Sequence, residues 1–335
     1  MRRKVLVLFL LLALLGGGYT VYWVVLAHRI EAGLGPWQEA QRAQGLAVEW
    51  ESVALAGFPT AFRLRFRVAS AQGEKPTHFT AAAPLVLAEA RVWDLQHWRV
   101  SAPNGATMML PDEATGVSAA ALRGQVKLAG NGNTAIGLTG SNLAGEGLAA
   151  GLHIDAATAQ LALPGRAPEN HVDAGLAASV RLTQVTLPEA VEPFGKEVET
   201  LSLAATIKGA LPPGKLRDAL EAWRRNGGTV ELTDGVLHWG ALTVNANGTL
   251  ALDDQLQPIG ALTATIENHD AIVDAAVASG ALRPRDAGLL KIVLGLMAKP
   301  GADGRKQLTL PVSLQNDRVY LGPAQIAALP RLSWP

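Results

Sequence analysis

The side chains that could do chemistry are few and scattered. The seven histidines (His28, His78, His97, His153, His171, His238 and His269) show no H-E-x-x-H or H-x-H spacing, so the sequence encodes no metal site. There is no cysteine, which removes disulfides, thiolate metal ligands, iron–sulfur clusters and a cysteine nucleophile together. No serine stands in G-x-S-x-G and no S-x-x-K occurs. The adjacent carboxylates Asp253 and Asp254 lie beside the hairpin expected at Asn247-Gly248, where a solvated turn is the ordinary explanation. The glycine-rich stretch Gly130–Gly151 opens with GNGNTAIG, which makes neither G-x-G-x-x-G nor a P-loop and lacks a strand-turn-helix setting. It reads as turns between small-residue strands. The expectation is a protein that is not an enzyme and takes no cofactor, with a hydrolase or transferase whose carboxylates converge only in three dimensions as the alternative.

The most pointed polar feature is Arg63, Arg65 and Arg67, alternating with Phe62, Leu64, Phe66 and Val68. Period two places the three guanidinium groups on one face of one strand, where they could meet lipid phosphates or a carboxylate-rich partner. The plainer reading is a solvated face whose arginine stems cover apolar neighbours, and it is preferred. Trp93, Trp98, Trp223 and Trp239 are candidates for membrane-proximal or stacking roles, against the commoner fate of packing. Asn247-Gly248-Thr249 matches a glycosylation acceptor, but a hairpin already explains Asn-Gly, so no modification is assigned.

The elements that must position these groups begin with a membrane segment. Arg2, Arg3 and Lys4 precede a charge-free run, Val5–Ala27, of 23 residues, long enough for a hydrocarbon core of about 30 Å. The basic tip predicts a cytoplasmic N-terminus, and Tyr19, Tyr22 and Trp23 supply interfacial aromatics at the far end. A cleavable signal peptide ending at Val25-Leu26-Ala27 is the competing reading. An uncleaved signal-anchor fits better, because the apolar run is longer than a signal core. Residues 1–4 are then a cytoplasmic tip, 5–27 the transmembrane anchor, 28–45 an amphipathic juxtamembrane helix and 46–335 a periplasmic sheet-rich domain. In 28–45, Ile30, Leu34 and Trp37 share one face, Gly45 is the stop and Pro36 is a candidate kink.

Lysine plus arginine equals aspartate plus glutamate at 29 each, and three of the basic residues sit in the tip, so the body is slightly acidic. That excludes the electrostatic footprint of a nucleic-acid binder. With 49% hydrophobic residues the chain is not disordered, and 35 glycines with 19 prolines suit short strands and turns. Runs expected as strands include Leu85–Leu95, Trp98–Ala102, Gly124–Leu128, Ala135–Leu138, Leu148–Ile154, Thr158–Leu163, Leu176–Leu187 and Leu201–Ile207. Hairpin turns are expected at Asp234-Gly235, Asn247-Gly248 and Asn316-Asp317, and helices at Lys215–Asn226, Ala271–Ser279 and Arg285–Ala298. The fold class is mainly β (α+β), an extended, curved antiparallel sheet with a few short helices behind one transmembrane helix.

The stretch YTVYWVVLAHRIEAGLGPWQEAQRAQGLAVEW followed by Gly57-Phe58-Pro59 resembles the start of the bacterial family known as domain of unknown function 2125. So does WRRNGGTVELTDGVLHWGALTVNANGTLALDDQLQPIGALTATI, with Trp239-Gly240, Gly248-Thr249, Gln257-Pro258 and Gly260, and the ending with Pro311 and Gly322-Pro323. The resemblance implies an inner-membrane-anchored or exported envelope protein and transfers no catalytic residue. More distantly, Gly240–Leu252 is similar to parts of AsmA-like envelope proteins, whose elongated sheets handle lipid. Two roles follow as expectations: binding of phospholipid in an apolar groove, or an envelope scaffold that contacts other envelope proteins.

Overall fold

The computed structural model describes residues 2–73, 78–110, 115–212, 214–280, 282–301, 306–322 and 324–334. Among them, helix α1 (Arg2–Ala43) precedes strands β1 (Leu46–Glu49), β2 (Ser52–Ala56), β3 (Ala61–Gly73), β4 (Phe79–Arg91), β5 (Asp94–Ala102), β6 (Ala106–Met109), β7 (Thr115–Leu128), β8 (Thr134–Gly147), β9 (His153–Leu163), β10 (Ala174–Val191) and β11 (Gly195–Lys208). Helix α2 (Leu216–Arg225) separates these from β12 (Thr229–Trp239), β13 (Leu242–Leu252) and β14 (Pro258–Glu267). Helices α3 (His269–Ala278) and α4 (Pro284–Met297), then β15 (Lys299–Pro300), β16 (Lys306–Gln315), β17 (Arg318–Leu321) and β18 (Ala324–Ala328), complete the order.

Helix α1 has two halves with different surroundings. Residues Phe9–Gly18 are exposed all round, and an added Cβ at Gly16, Gly17 or Gly18 would meet nothing within 4 Å. From Tyr19 onward a packed stripe appears through Trp23, Ala27, Ile30, Leu34, Gln38 and Gln41, at helical spacing. Ile30 and Leu34 take the expected face, but Gln38 replaces Trp37 on it, and Trp37 is exposed. At that position Gln38 Nε2 donates to the Val48 carbonyl at 2.9 Å, satisfying an acceptor on the edge strand β1. The helix continues through Pro36 and ends where Gly45 takes φ +86, with the Gln44 and Gly45 amides returning to Gln41 and Arg42.

All pairings are antiparallel and nearly all join strands consecutive along the chain, so the sheet is one long meander. One edge is the interrupted β1 and β2, both paired with β3, and the other is β18. Several expected strands merge or divide. Leu85–Leu95 is broken by a turn at Val92-Trp93; residues 148–151 are turn; Thr158–Leu163 is the end of β9; and most of the small-residue stretch from Thr134 onward is the 14-residue strand β8. The Asn316-Asp317 reversal is present, with both residues at positive φ.

Two expected reversals are not turns. Asp234-Gly235 lies inside β12 at a bulge, where pairing with β13 jumps from Leu232/Gly248 to Gly235/Ala246 and Thr233 Oγ1 bonds the Ala204 carbonyl at 3.0 Å. Asn247-Gly248 lies mid-strand in β13, and the chain reverses instead at Gly240, φ +54. Local turn propensity yields here to the pairing of long strands on both sides.

Two compact clusters bury side chains. One joins Phe62, Val92 and Ala27 with Tyr19, Trp23, Leu26, Ile30, Leu55 and Leu95 around them; the other joins Ile154, Val185 and Val198 with Leu182, Leu237 and Trp239 among its neighbours. Helix α2 seats Trp223, 3% exposed, with Nε1 donating to the Lys208 carbonyl at 2.7 Å. Helices α3 and α4 are tied by Lys291 and Asp274 at 2.6 Å and contact β13 and β16 respectively.

Candidate functional site

Strand register shows what the alternation of residues builds. One row runs Leu64, Ala88, Val100, Gly124, Leu138, Ala159, Val180, Leu203, Gly235, Ala246, Ala264 and Leu310, each directly opposite the next. A second row on the same face runs Phe62, Ala90, Trp98, Val126, Ile136, Leu161, Ala178, Ala205, Leu232, Gly248, Leu262 and Val312. Neither row contains a charged side chain. This apolar face crosses a dozen strands, and its middle is open: Leu138 is 44% exposed, Leu203 42% and Ile136 37%. The principal helix contacts fall toward the two ends of the strand order, α1 at β1 and Phe62, α3 on β13 and α4 on β16. A sheet of this kind normally buries its apolar face against a second layer, so an open one marks a surface made for something else.

The opposite face is polar. Arg65, Leu87, Ser101, Arg123, Thr139, Thr158, Arg181 and Ser202 form one register row, and Arg63, Glu89, Arg99, Gln125, Gly137, Gln160 and Ser179 the next. The three arginines expected on one face of β3 are there. Arg63 Nε donates to Glu89 Oε2 at 2.7 Å, while among the described residues Arg65 and Arg67 make no ion pair. Arg123 and Arg181 continue the row of Arg65 at about 14 Å intervals, three strand spacings of about 4.8 Å. Sequence reading missed these two, because the register that aligns them is set by pairings distant in sequence. Two adjoining furrows of about 660 and 550 Å³ flank the row of Glu89, Arg99, Gln125 and Gln160. No group of three or more histidine and carboxylate side chains gathers as metal ligands among the described residues.

The turn Gly57-Phe58-Pro59 joins the sheet to α1. Tyr19 Oη donates to the Pro59 carbonyl, and Trp23 Nε1 to the Ala61 carbonyl at 3.4 Å. The Trp23 indole stacks on Phe62 (5.2 Å between ring centres) and meets Phe58 edge-on at 5.5 Å. Gly57 takes φ +112, and a Cβ there would lie 2.5 Å from the Ala61 carbonyl oxygen, so only glycine fits this corner. The Phe62 side chain that packs against α1 belongs to the second apolar row.

The sequence model of a family described as an uncharacterised protein conserved in bacteria (DUF2125) matches residues 23–330. The chain belongs to this family. The match takes in the packed half of α1 from Trp23 and the whole described sheet, ending at Pro330. No curated protein and no solved structure matches, so the likeness to AsmA-like proteins has no comparison behind it.

The other residues that carry the resemblance to DUF2125 have structural surroundings where they are described. Trp239 packs on Phe194, 5.3 Å between ring centres, and its Nε1 donates to the Gly195 carbonyl at 3.2 Å; the Gly240 amide donates to Glu199. Gly248 and Gly260 lie on adjacent strands at φ +152 and +156; a Cβ on Gly248 would stand 2.3 Å from the Ala261 carbonyl oxygen and 2.6 Å from the Leu262 Cα. Pro311 accepts from the Gly322 amide at 2.8 Å, Pro258 opens β14, and Pro323 lies outside the described residues. Buried Gln257 exchanges two hydrogen bonds with Leu332, at 3.1 and 2.8 Å, and Trp334 Nε1 donates to Leu256. Asp253 accepts from the Gln255 and Gln257 amides, a turn role as expected, but in the turn that follows β13 and not at an Asn-Gly hairpin, since Asn247-Gly248 lies within the strand.

Proposed function

We propose that this protein is a non-catalytic lipid-binding protein of the bacterial envelope, anchored N-in in the inner membrane by α1, with its sheet in the periplasm. The observation that carries the reading is the charge-free face across a dozen strands, whose central leucines and isoleucine are open. An acyl chain laid on this face keeps apolar surface of both chain and sheet out of water, at roughly 25 cal/mol per Å² covered. Among the described residues one helix, α1, is long and apolar enough to cross a membrane, and its most apolar window, from Phe9 on, is unburied. The apolar face begins at Phe62, which packs against that helix, so this end of the face lies beside the membrane segment.

A scaffold role has its own support in the polar face, where Arg65, Arg67, Arg123 and Arg181 are free of ion pairs among the described residues and could meet an acidic envelope protein. Native mass spectrometry of the full chain in mild detergent, with extraction of co-purifying lipid, separates the two. The lipid reading expects stoichiometric phospholipid that survives detergent exchange and falls in a Leu138→Asp, Leu203→Asp variant. A lipid-free chain holding a defined protein companion overturns it.

A further inference from the structure

The charge-free run of α1 and the part of α1 that precedes its first contact with the sheet have different lengths. Val5–Ala27 is 23 residues, about 35 Å of helix, while the sheet already grips the helix at Tyr19. The part of α1 that precedes this grip, Arg2–Gly18, is about 26 Å long, short of a hydrocarbon core of about 30 Å. Counting about 30 Å from Val5 reaches the level of Trp23 and Val24, so the outer boundary of the bilayer falls where the sheet is attached.

Two hairpin tips stand at that level and form one unit. Pro59 is bonded to Tyr19, Phe58 packs on Tyr19 and Trp23, and the Val92 amide donates to the Thr60 carbonyl at 3.2 Å. Their outward side chains are those of an interface. Phe58 is 51% exposed, Trp93 67% and Tyr22 53%, and the Arg91 guanidinium lies over the Trp93 ring at 5.9 Å. Aromatic rings with a cation beside them favour the headgroup layer, where ring and charge are both satisfied.

We propose that the tips at Phe58–Thr60 and Val92–Trp93 are seated in the outer headgroup layer of the bilayer that α1 crosses, with Phe58 and Trp93 as interfacial anchors and Arg91 as a phosphate contact. The proposal rests on reading α1 as a membrane helix. It brings the end of the apolar face that starts at buried Phe62 close to the outer leaflet.

The absence of cysteine makes the test clean. Single cysteines at Thr60, Gln96, Leu12 and Leu148 carry an environment-sensitive fluorophore on the full chain, reconstituted in phosphatidylcholine and phosphatidylglycerol nanodiscs with nitroxide-labelled lipid as quencher. Thr60, Gln96 and Leu148 are exposed, so labelling leaves the aromatic anchors and the fold intact. The expected result is strong loss of fluorescence at Thr60 and Gln96 with quencher near the headgroup, loss at Leu12 with quencher deep in the chains, and none at Leu148. Quenching at Leu12 with none at Thr60 and Gln96 overturns the proposal and leaves the anchor standing. No quenching at any of the four positions overturns both.

Discussion

Phe62 is fully buried where α1, the Gly57-Phe58-Pro59 turn and the apolar face meet. Phe62→Ala is expected to cost about 3–5 kcal/mol, read as a lowered urea midpoint of the detergent-solubilised chain, because the cavity lies between elements that cannot collapse onto it. Gly248→Ala is expected to destabilise by about 2 kcal/mol or more in the same assay, since the added methyl meets the backbone of β14 and not a movable side chain. Glu89→Gln tests the other extreme. Its pair with Arg63 is solvent-exposed, and less than about 1 kcal/mol should be lost, with no change in the far-ultraviolet spectrum. The Arg63, Arg65 and Arg67 row was legible in the sequence because alternation alone decides facing within a strand. Arg123 and Arg181 were not, since their alignment depends on register accumulated over six strand pairings.

Among the elements, α1 and its attachment matter most. The apolar run and basic tip are plain in the sequence, as is the helix stop at Gly45. That Phe58 and Pro59 would dock on Tyr19 and Trp23, some 40 residues earlier, is a long-range contact that no local pattern encodes. Gln38 takes the place expected for Trp37 in the packed stripe, where it meets a carbonyl on β1. The misplaced reversals at Asp234-Gly235 and Asn247-Gly248 show local signals overruled by strands that pair along their full length on both sides. Trp23→Ala removes a stacking partner and a hydrogen bond at the joint, and limited proteolysis should then cut between α1 and β2 faster than in the parent chain, with the sheet fragment remaining intact. Gln257→Leu leaves the Leu332 amide and carbonyl without their partners, and carboxypeptidase should remove the C-terminal tail more rapidly.

At the scale of the whole molecule the chain is a two-faced sheet, apolar on one side and rich in arginine, threonine and serine on the other. The sequence revealed the alternation, and hence mainly β architecture, but alternation cannot say what lies opposite an apolar face. In most sheets the answer is a second layer of the same chain. Here the middle of the face is open, and the lipid reading stands on that fact. Leu138 and Thr139 are neighbours in β8 whose register partners place them on opposite faces. A photoreactive amino acid at each position, irradiated in living cells and followed by mass spectrometry of the adducts, tests the claim directly. The account predicts phospholipid adducts at Leu138 and none at Thr139; equal yields at the two positions, or protein adducts alone at Leu138, would contradict it.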